Sequence, residues 1–227
     1  MADILVVTGA SRGIGRHIAC RAAEAGFEVI GLARTPSEAP FEIRACDVGD
    51  AEALQSALAD LRREPRLWGL VNAAGMARMN LLATMEARSA ETIVRTNLMG
   101  TIHCCRLLAR SLIRRGEGRI VNFSSIAVPL ALKGETVYAA AKAGIESFSR
   151  TLARELGEFA VTVNTIAPGP VDTDLIAKVP AESISRIMEG QLLPYKAEPE
   201  DIWQVTAFLL SRQARMVTGD VFHIGGA

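Results

Sequence analysis

Short apolar runs alternate along the chain with longer stretches in which apolar residues recur every three or four positions. Ile4–Thr8 is a run of strand length closed by Gly9. Ile14–Ala25 then carries Ile14, Ile18, Ala22 and Ala25 on one helical face. Glu28–Leu32 and Phe41–Cys46 are the next short runs, and Ala51–Arg63 has helical period with Asp50 placed to cap it. Trp68–Val71 predicts a strand, Ala90–Arg115 a long helix, Arg119–Ser124 a strand, Val137–Glu158 a helix and Val161–Ile166 a strand. Ala181–Glu189 and Pro199–Ser211 predict two more helices, with Gly190 stopping the first and Pro199 opening the second. Val221–Ile224 closes the pattern as a last strand.

Strands alternating with helices predict an α/β fold: one doubly wound Rossmann-type domain, with a mostly parallel seven-stranded sheet covered by helices on both faces. No spacing repeats and no low-complexity linker divides the 227 residues, so residues 1–227 are expected to form a single domain. Seams rich in Pro and Gly, such as Ala167–Pro170, fall at strand ends, where open α/β sheets bind ligands. One connection departs from the simple pattern. Only Ala33–Pro40 joins two strands that should be parallel, and it contains Pro36 and Pro40. A parallel crossover usually needs a dozen residues or more. A compressed crossover with little or no helix is therefore expected, and with it an altered pocket edge.

Composition narrows the function classes. Apolar residues make up 49% of the chain and its formal net charge is zero. That suits one large core and argues against nucleic acid or an anionic membrane as a partner. Near-neutral charge also permits self-association. Cys20, Cys46, Cys104 and Cys105 have neither C-x-x-C spacing nor a His at zinc-finger distance, so free thiols and no metal site are expected. Met1-Ala2-Asp3 lacks a basic region, and Ile4–Val7 is too short for a signal peptide or a membrane span. A soluble cytoplasmic protein is the expectation.

The first candidate chemistry is the turn Thr8-Gly9-Ala10-Ser11-Arg12-Gly13-Ile14-Gly15, set between the first strand and the first helix. Glycines there let backbone N–H groups approach a pyrophosphate, and the helix N-terminus adds partial positive charge. The second is Tyr138-Ala139-Ala140-Ala141-Lys142, whose two functional groups share one helix face at i and i+4. Ser125 lies upstream at the end of a predicted strand. A phenol beside an ammonium can exchange a proton with a carbonyl or alcohol oxygen, because the positive charge favours the phenolate.

These motifs, in this order, resemble the short-chain dehydrogenase/reductase family almost end to end. Thr8-Gly9-x-x-x-Gly13-x-Gly15 is similar to its glycine-rich turn, and Asp47-Val48 to its adenine-contacting pair. Asn72-Ala73-Ala74-Gly75 resembles its Asn-Asn-Ala-Gly motif, with Ala in place of the second Asn. Pro168-Gly169 and Thr218-Gly219 also fit. The resemblance implies a catalytic set of Asn97, Ser125, Tyr138 and Lys142. In it Tyr138 is the acid/base, and Ser125 holds the substrate oxygen. Lys142 also hydrogen-bonds the nicotinamide ribose, and Asn97 holds a water that links Lys142 to solvent. The alternative for Asn97 is a buried amide satisfied by backbone groups. The resemblance further implies that Val171 and Thr173 contact the nicotinamide carboxamide. The expected activity is hydride transfer between a nicotinamide dinucleotide and a carbonyl/secondary alcohol pair.

Several finer expectations follow. The second strand ends Leu32-Ala33-Arg34-Thr35 without an acidic residue, and Arg34 with Arg12 suits a 2′-phosphate, so NADP(H) is favoured over NAD(H). Residues 171–191 are a candidate substrate lid, with Leu175, Ile176, Val179, Ile184, Ile187 and Met188 as its apolar face; simple packing on the core is the alternative. Within the family, the chain is most similar to the 3-oxoacyl-acyl-carrier-protein reductase branch. That implies a thioester substrate and an acidic carrier partner, for which Arg110, Arg114 and Arg115 offer a basic rim or merely a solvated face. Sugar-alcohol or steroid dehydrogenases, a non-catalytic dinucleotide-binding regulator and a lyase or epimerase remain open. The resemblance also implies a homodimer or homotetramer packed through Ala90–Arg115 and Val137–Glu158.

Overall fold

The computed structural model describes residues 1–173 and 181–226. Strands β1 (Ile4–Thr8), β2 (Glu28–Ala33), β3 (Glu42–Ala45), β4 (Leu67–Asn72), β5 (Gly118–Phe123), β6 (Val161–Pro168) and β7 (Val221–Ile224) form one sheet. Their order is β3-β2-β1-β4-β5-β6-β7, and every neighbouring pair is parallel. The strand order reverses between β1 and β4, which opens a crevice at their carboxyl ends.

Burial on both faces explains why β1 is apolar throughout. Successive side chains alternate in direction. Ile4 and Val6 pack with Leu54 of α2 (Ala51–Ala57), Leu108 of α4 (Gly100–Arg115) and Leu152 of α6 (Thr136–Leu156). Leu5 and Val7 pack on the other face with Ile18 of α1 (Gly13–Glu24) and Trp203 of α8 (Pro199–Leu210). Asp50 caps α2 by accepting from the N–H groups of Glu52 and Ala53, and Pro199 opens α8. Glu189 ends α7 (Ala181–Glu189) next to Gly190. No described helix is long and apolar enough to cross a membrane.

The connection from Ala33 to Pro40 contains no helix, as its length and prolines predict. It is fastened instead by side chains. Arg16 of α1 donates to Ser37 Oγ at 2.8 Å and to the Glu38 carbonyl at 3.0 Å, while Ser37 Oγ donates to the Ser11 carbonyl at 3.3 Å. The compressed crossover thus lies along the glycine-rich turn.

Two helical stretches differ from expectation. The predicted helix Ala90–Arg115 starts earlier and is interrupted: α3 (Ala87–Val94) runs into a π-helical turn, Arg95–Met99, and then into α4. Here the helix presses against a neighbouring loop, since a Cβ at Gly100 would lie 2.8 Å from Val48 Cγ2. Single π turns of this kind gather at functional sites. Ala51–Arg63 divides into α2 and a 3-10 turn, Asp60–Arg63, because Arg44 binds both the Ala57 carbonyl and the Asp60 carboxylate. The short elements Leu82–Thr84 and α5 (Ala127–Leu130) carry too little periodicity to be anticipated.

A buried polar chain joins the sheet to α6. The Asn72 amide donates to Asn122 Oδ1 at 2.8 Å, and the Asn122 amide donates to Ser149 Oγ at 2.8 Å. Asn122→Ala takes the donor from Ser149 Oγ and leaves the Asn72 amide with only the weak acceptor Cys105 Sγ at 3.4 Å. It is expected to cost about 1–3 kcal/mol for each polar group orphaned, read as a lower urea midpoint with an unchanged m-value.

Candidate active site

A cavity of about 1060 Å³ spans the carboxyl ends of the strands. Its dinucleotide side begins at the glycine-rich turn. Gly9 has φ +72°, and a Cβ there would lie 2.9 Å from Ala74 Cα. The N–H groups of Gly9 and Ala10 both bond the Leu32 carbonyl, and the Ala74 N–H bonds Thr8 Oγ1 at 3.0 Å. The ends of β1, β2 and β4 are thereby drawn together. Gly15 lets α1 start hard against this turn, since a Cβ there would lie 2.5 Å from the Gly9 carbonyl oxygen. Arg12, the N-cap of α1, supplies no side-chain cap to the first turn. That positive helix end, lining the cavity, fits a pyrophosphate.

Of the residues singled out for a dinucleotide, Gly9, Ser11, Arg12, Gly13, Ile14, Gly15, Arg34, Asp47, Val48, Ala73, Ala74, Gly75, Pro168, Gly169, Val171 and Thr173 all line this cavity. Arg12 and Arg34 are both exposed at its edge. Asp47 accepts from the Gly49 N–H at 2.9 Å, which shapes the turn after β3. Asn72 is the exception. It is buried behind the lining, with its amide on Asn122.

The substrate side is built by β5 and α6. Ser124 is buried and donates to Glu146 Oε1 at 2.5 Å, tying β5 to α6. Ser125, one residue on, is half-buried at the cavity wall, with its Oγ accepting from the Ala127 N–H at 3.1 Å. Tyr138 stands in the first turn of α6 and also lines the wall. Lys142 is 5% exposed; its Nζ donates to the Phe123 carbonyl at 2.8 Å and lies 5.6 Å from the centre of the Tyr138 ring. Asn97 is fully buried in the π turn, outside the lining. Its amide donates to the carbonyls of Met76 and Ile93, and its oxygen accepts from the Met76 N–H. Asn97 Oδ1 and Lys142 Nζ flank Gly75, at 2.9 and 3.6 Å from the point a Cβ would occupy. The backbone-satisfied amide is therefore what the geometry displays.

From the candidate lid, Ile184 and Ile187 line the cavity, while Met188 is half-buried outside the lining. Leu175, Ile176 and Val179 lie outside the described residues. Arg110 and Arg114 do not form a rim on this cavity. They lie toward the far end of α4, Arg110 being about 20 Å along the helical rise from Asn97, and line a separate hollow of about 590 Å³ with Arg62, Arg63 and Arg106. Arg115 pairs with Asp3 at 2.7 Å and stacks over Trp68. The helix runs antiparallel to the strands, so its basic end points away from their carboxyl edge.

A family model described as enoyl-(acyl carrier protein) reductase matches residues 9–226. The 3-oxoacyl-(acyl-carrier-protein) reductase FabG of Vibrio cholerae is 34% identical over 240 residues, covering 98% of this chain and 96% of its own. The chain belongs to the short-chain dehydrogenase/reductase family. The FabG of Escherichia coli is 34% identical, covering 98% of this chain and 96% of its own. The short-chain reductase protein NovJ of Streptomyces niveus is 36% identical, covering 99% and 93%. The fold is also that of Thermoplasma acidophilum aldohexose dehydrogenase, with a TM-score of 0.89 at 24% identity over 99% of this chain and 93% of that one. As a short-chain dehydrogenase/reductase the protein is an NAD(P)-dependent oxidoreductase.

In this member the site's electrostatics push its two main titrating groups in opposite directions. Burial pushes the Tyr138 phenol up to about 12; Ser125 pulls it down and the Glu135 charge adds to the rise. Burial pushes the Lys142 ammonium down to about 8. Glu135, also at the wall, carries a carboxyl raised by burial. Glu135 belongs to no motif in the sequence, and its one signal there is its place three residues before Tyr138.

These shifts link to stability. Between about pH 8 and the ordinary lysine range, the unfolded chain holds a proton on Lys142 that the folded chain has lost, so this residue makes stability rise with pH there. Tyr138 acts oppositely between the ordinary tyrosine range and about pH 12. Lys142→Met is expected to remove this contribution, so that unfolding free energy from urea titrations across pH 7.5–10 rises less, or falls more, with pH than in the wild type; the thiols of Cys46, Cys104 and Cys105, raised by burial, push the other way in both proteins, and an unchanged slope would contradict the role of Lys142.

Proposed function

We propose that this protein reduces a ketone with NADP(H), a 3-oxoacyl thioester first among substrates, and that Tyr138 supplies the proton. The observation that carries the reading is Tyr138 at the cavity wall, with Ser125 beside it and Lys142 beneath its ring. A reduced nicotinamide, when bound, supplies hydride. Tyr138 gives its proton to the substrate oxygen as charge develops there. A phenol pushed up to about 12 by burial carries its proton at neutral pH, and a positive charge beside it would bring it back toward the operating pH, where a proton donor works best. Ser125 Oγ holds the same oxygen. Lys142, fixed on the Phe123 carbonyl, favours the phenolate that Tyr138 leaves behind. Asn97, across Gly75 from Lys142, holds the Met76 loop and with it that end of the proton path.

The names of the FabG relatives support a 3-oxoacyl thioester and an acyl carrier protein as partner. Two hydroxyls facing one cavity wall suit a carbonyl oxygen better than a carbon–carbon double bond. Arg12 and Arg34 would take the 2′-phosphate, and the end of β2, Leu32-Ala33-Arg34-Thr35, carries no acidic residue. In this reading residues 1–227 work as one dinucleotide-binding and catalytic domain, 171–191 closes over substrate, and α4 and α6 join subunits into a dimer or tetramer. Four free thiols suit the cytoplasm.

The test is NADPH oxidation with acetoacetyl thioester, with crotonyl thioester as control. Tyr138→Phe is expected to lower kcat by about 10²–10⁴-fold with little change in NADPH affinity; near-normal turnover would refute the role. Arg12→Ala with Arg34→Ala is expected to lower the NADPH-to-NADH ratio of kcat/KM about tenfold or more, by loss of charge-assisted hydrogen bonds. An unchanged ratio would overturn the NADP(H) assignment.

A further inference from the structure

Glu135 is an acid in a place where the chemistry just described does not need one. It precedes α6, and Tyr138 follows one turn later. Acidic residues commonly stand at helix starts because they cap N–H groups and meet the positive helix end. Glu135 does not do the first: its side chain makes no capping bond. Burial raises its carboxyl. Among the described residues nothing donates to this carboxyl, and no ion pair reaches it.

What it does is line the cavity, on the same wall as Ser125 and Tyr138. Its charge is felt at the Tyr138 phenol, which fixes it near the reacting end. Among the described residues, Lys142 and Arg78 line the same cavity and each has a hydrogen-bond partner of its own, while Lys133, two residues before Glu135, is exposed. Lys142 is committed to the Phe123 carbonyl beneath Tyr138. Arg78 belongs to the loop that abuts Gly134, through the Asn80 N–H on the Gly134 carbonyl, and its guanidinium donates to Ser89 of α3. Leu132, Met79, Ile184 and Ile187 add apolar surface to the same cavity. A half-buried carboxylate in apolar surroundings is costly until a positive group meets it, and the pairing is strong once water is excluded.

We propose that Glu135 selects the substrate, favouring ketones that carry a protonated nitrogen a few bonds from the reacting carbonyl over neutral ketones of the same shape. Glu135 and Tyr138 are three residues apart and line one wall, so a compact ketone with its nitrogen across a six-membered ring from the carbonyl is the probe that presents both groups to that wall. The proposal rests on the reading of this site as a carbonyl reductase, and not on a thioester being its substrate.

The test uses the full chain with NADPH and a matched pair, N-methyl-4-piperidone and 4-methylcyclohexanone, at pH 7. The wild type is expected to favour the piperidone in kcat/KM by about tenfold or more, as a charge-assisted hydrogen bond implies, and Glu135→Gln to bring the ratio near one. Glu135→Ala, which also removes no cap, is expected to do the same. A ratio near one in the wild type, or one that Glu135→Gln leaves unchanged, overturns the proposal while the reductase reading stands. The second measurement is calorimetric binding of the two corresponding alcohols to the NADPH-loaded protein, a combination that cannot turn over. If neither ketone is reduced, the reductase reading fails for this pair, and the alcohols decide the role of Glu135. A preference for the amino alcohol that is lost in Glu135→Gln supports it, and equal binding refutes it.

Discussion

The close approach of backbone to backbone at Gly9 is the constraint on which the rest of the site depends. A side chain there would collide with Ala74, and one at Gly15 would collide with Gly9 itself. Because neither exists, the turns after β1 and β4 sit against one another, and α1 begins directly above them. The uncapped helix end, the Leu32 carbonyl that binds two N–H groups, and the Thr8 hydroxyl that binds a third all follow from that contact. The crevice is located by strand order, but its narrowness is set by two missing methyl groups.

The catalytic side is organised by the opposite means, dense packing around polar groups. Ser124 and Asn122 anchor β5 to α6 through Glu146 and Ser149, so Ser125 and Tyr138 share a wall without needing a strong bond between them. Lys142 is held by a backbone carbonyl instead of a carboxylate. With no counter-charge, burial lowers its ammonium while raising the phenol above it. Glu135 strengthens the second effect. The wall thus keeps its proton on Tyr138 and carries an acidic group one turn away.

Much of the fold was legible because both periodicities are strong. β1 is apolar at every position since it is covered on both faces, and alternation alone divides Ile4 and Val6 from Leu5 and Val7. The missing helix after β2 could be foreseen because Pro36 and Pro40 and a short length forbid it. The interruption at Asn97 could not, because it arises where α4 meets Val48, a residue about fifty positions away. The break after Ala57 likewise depends on Arg44 reaching across from β3.

By itself, the sequence determined the alternating sheet-and-helix order, the glycine-rich turn and the shared face of Tyr138 and Lys142, since each follows from local spacing or from residues a few positions apart. Only the tertiary structure decided which asparagines face the cavity, where the arginines of α4 point, and that Glu135 lines the wall with Tyr138 and has no partner among the described residues. Those outcomes depend on helix direction, burial and contacts between distant segments, which no local pattern encodes. The physical reason is that a side chain's charge and partners are set by what surrounds it in space. Asn72 hydrogen-bonds Asn122, and Asn97 the Met76 and Ile93 carbonyls, while Glu135, adjacent to the best-marked motif in the chain, lines the cavity with no partner among the described residues.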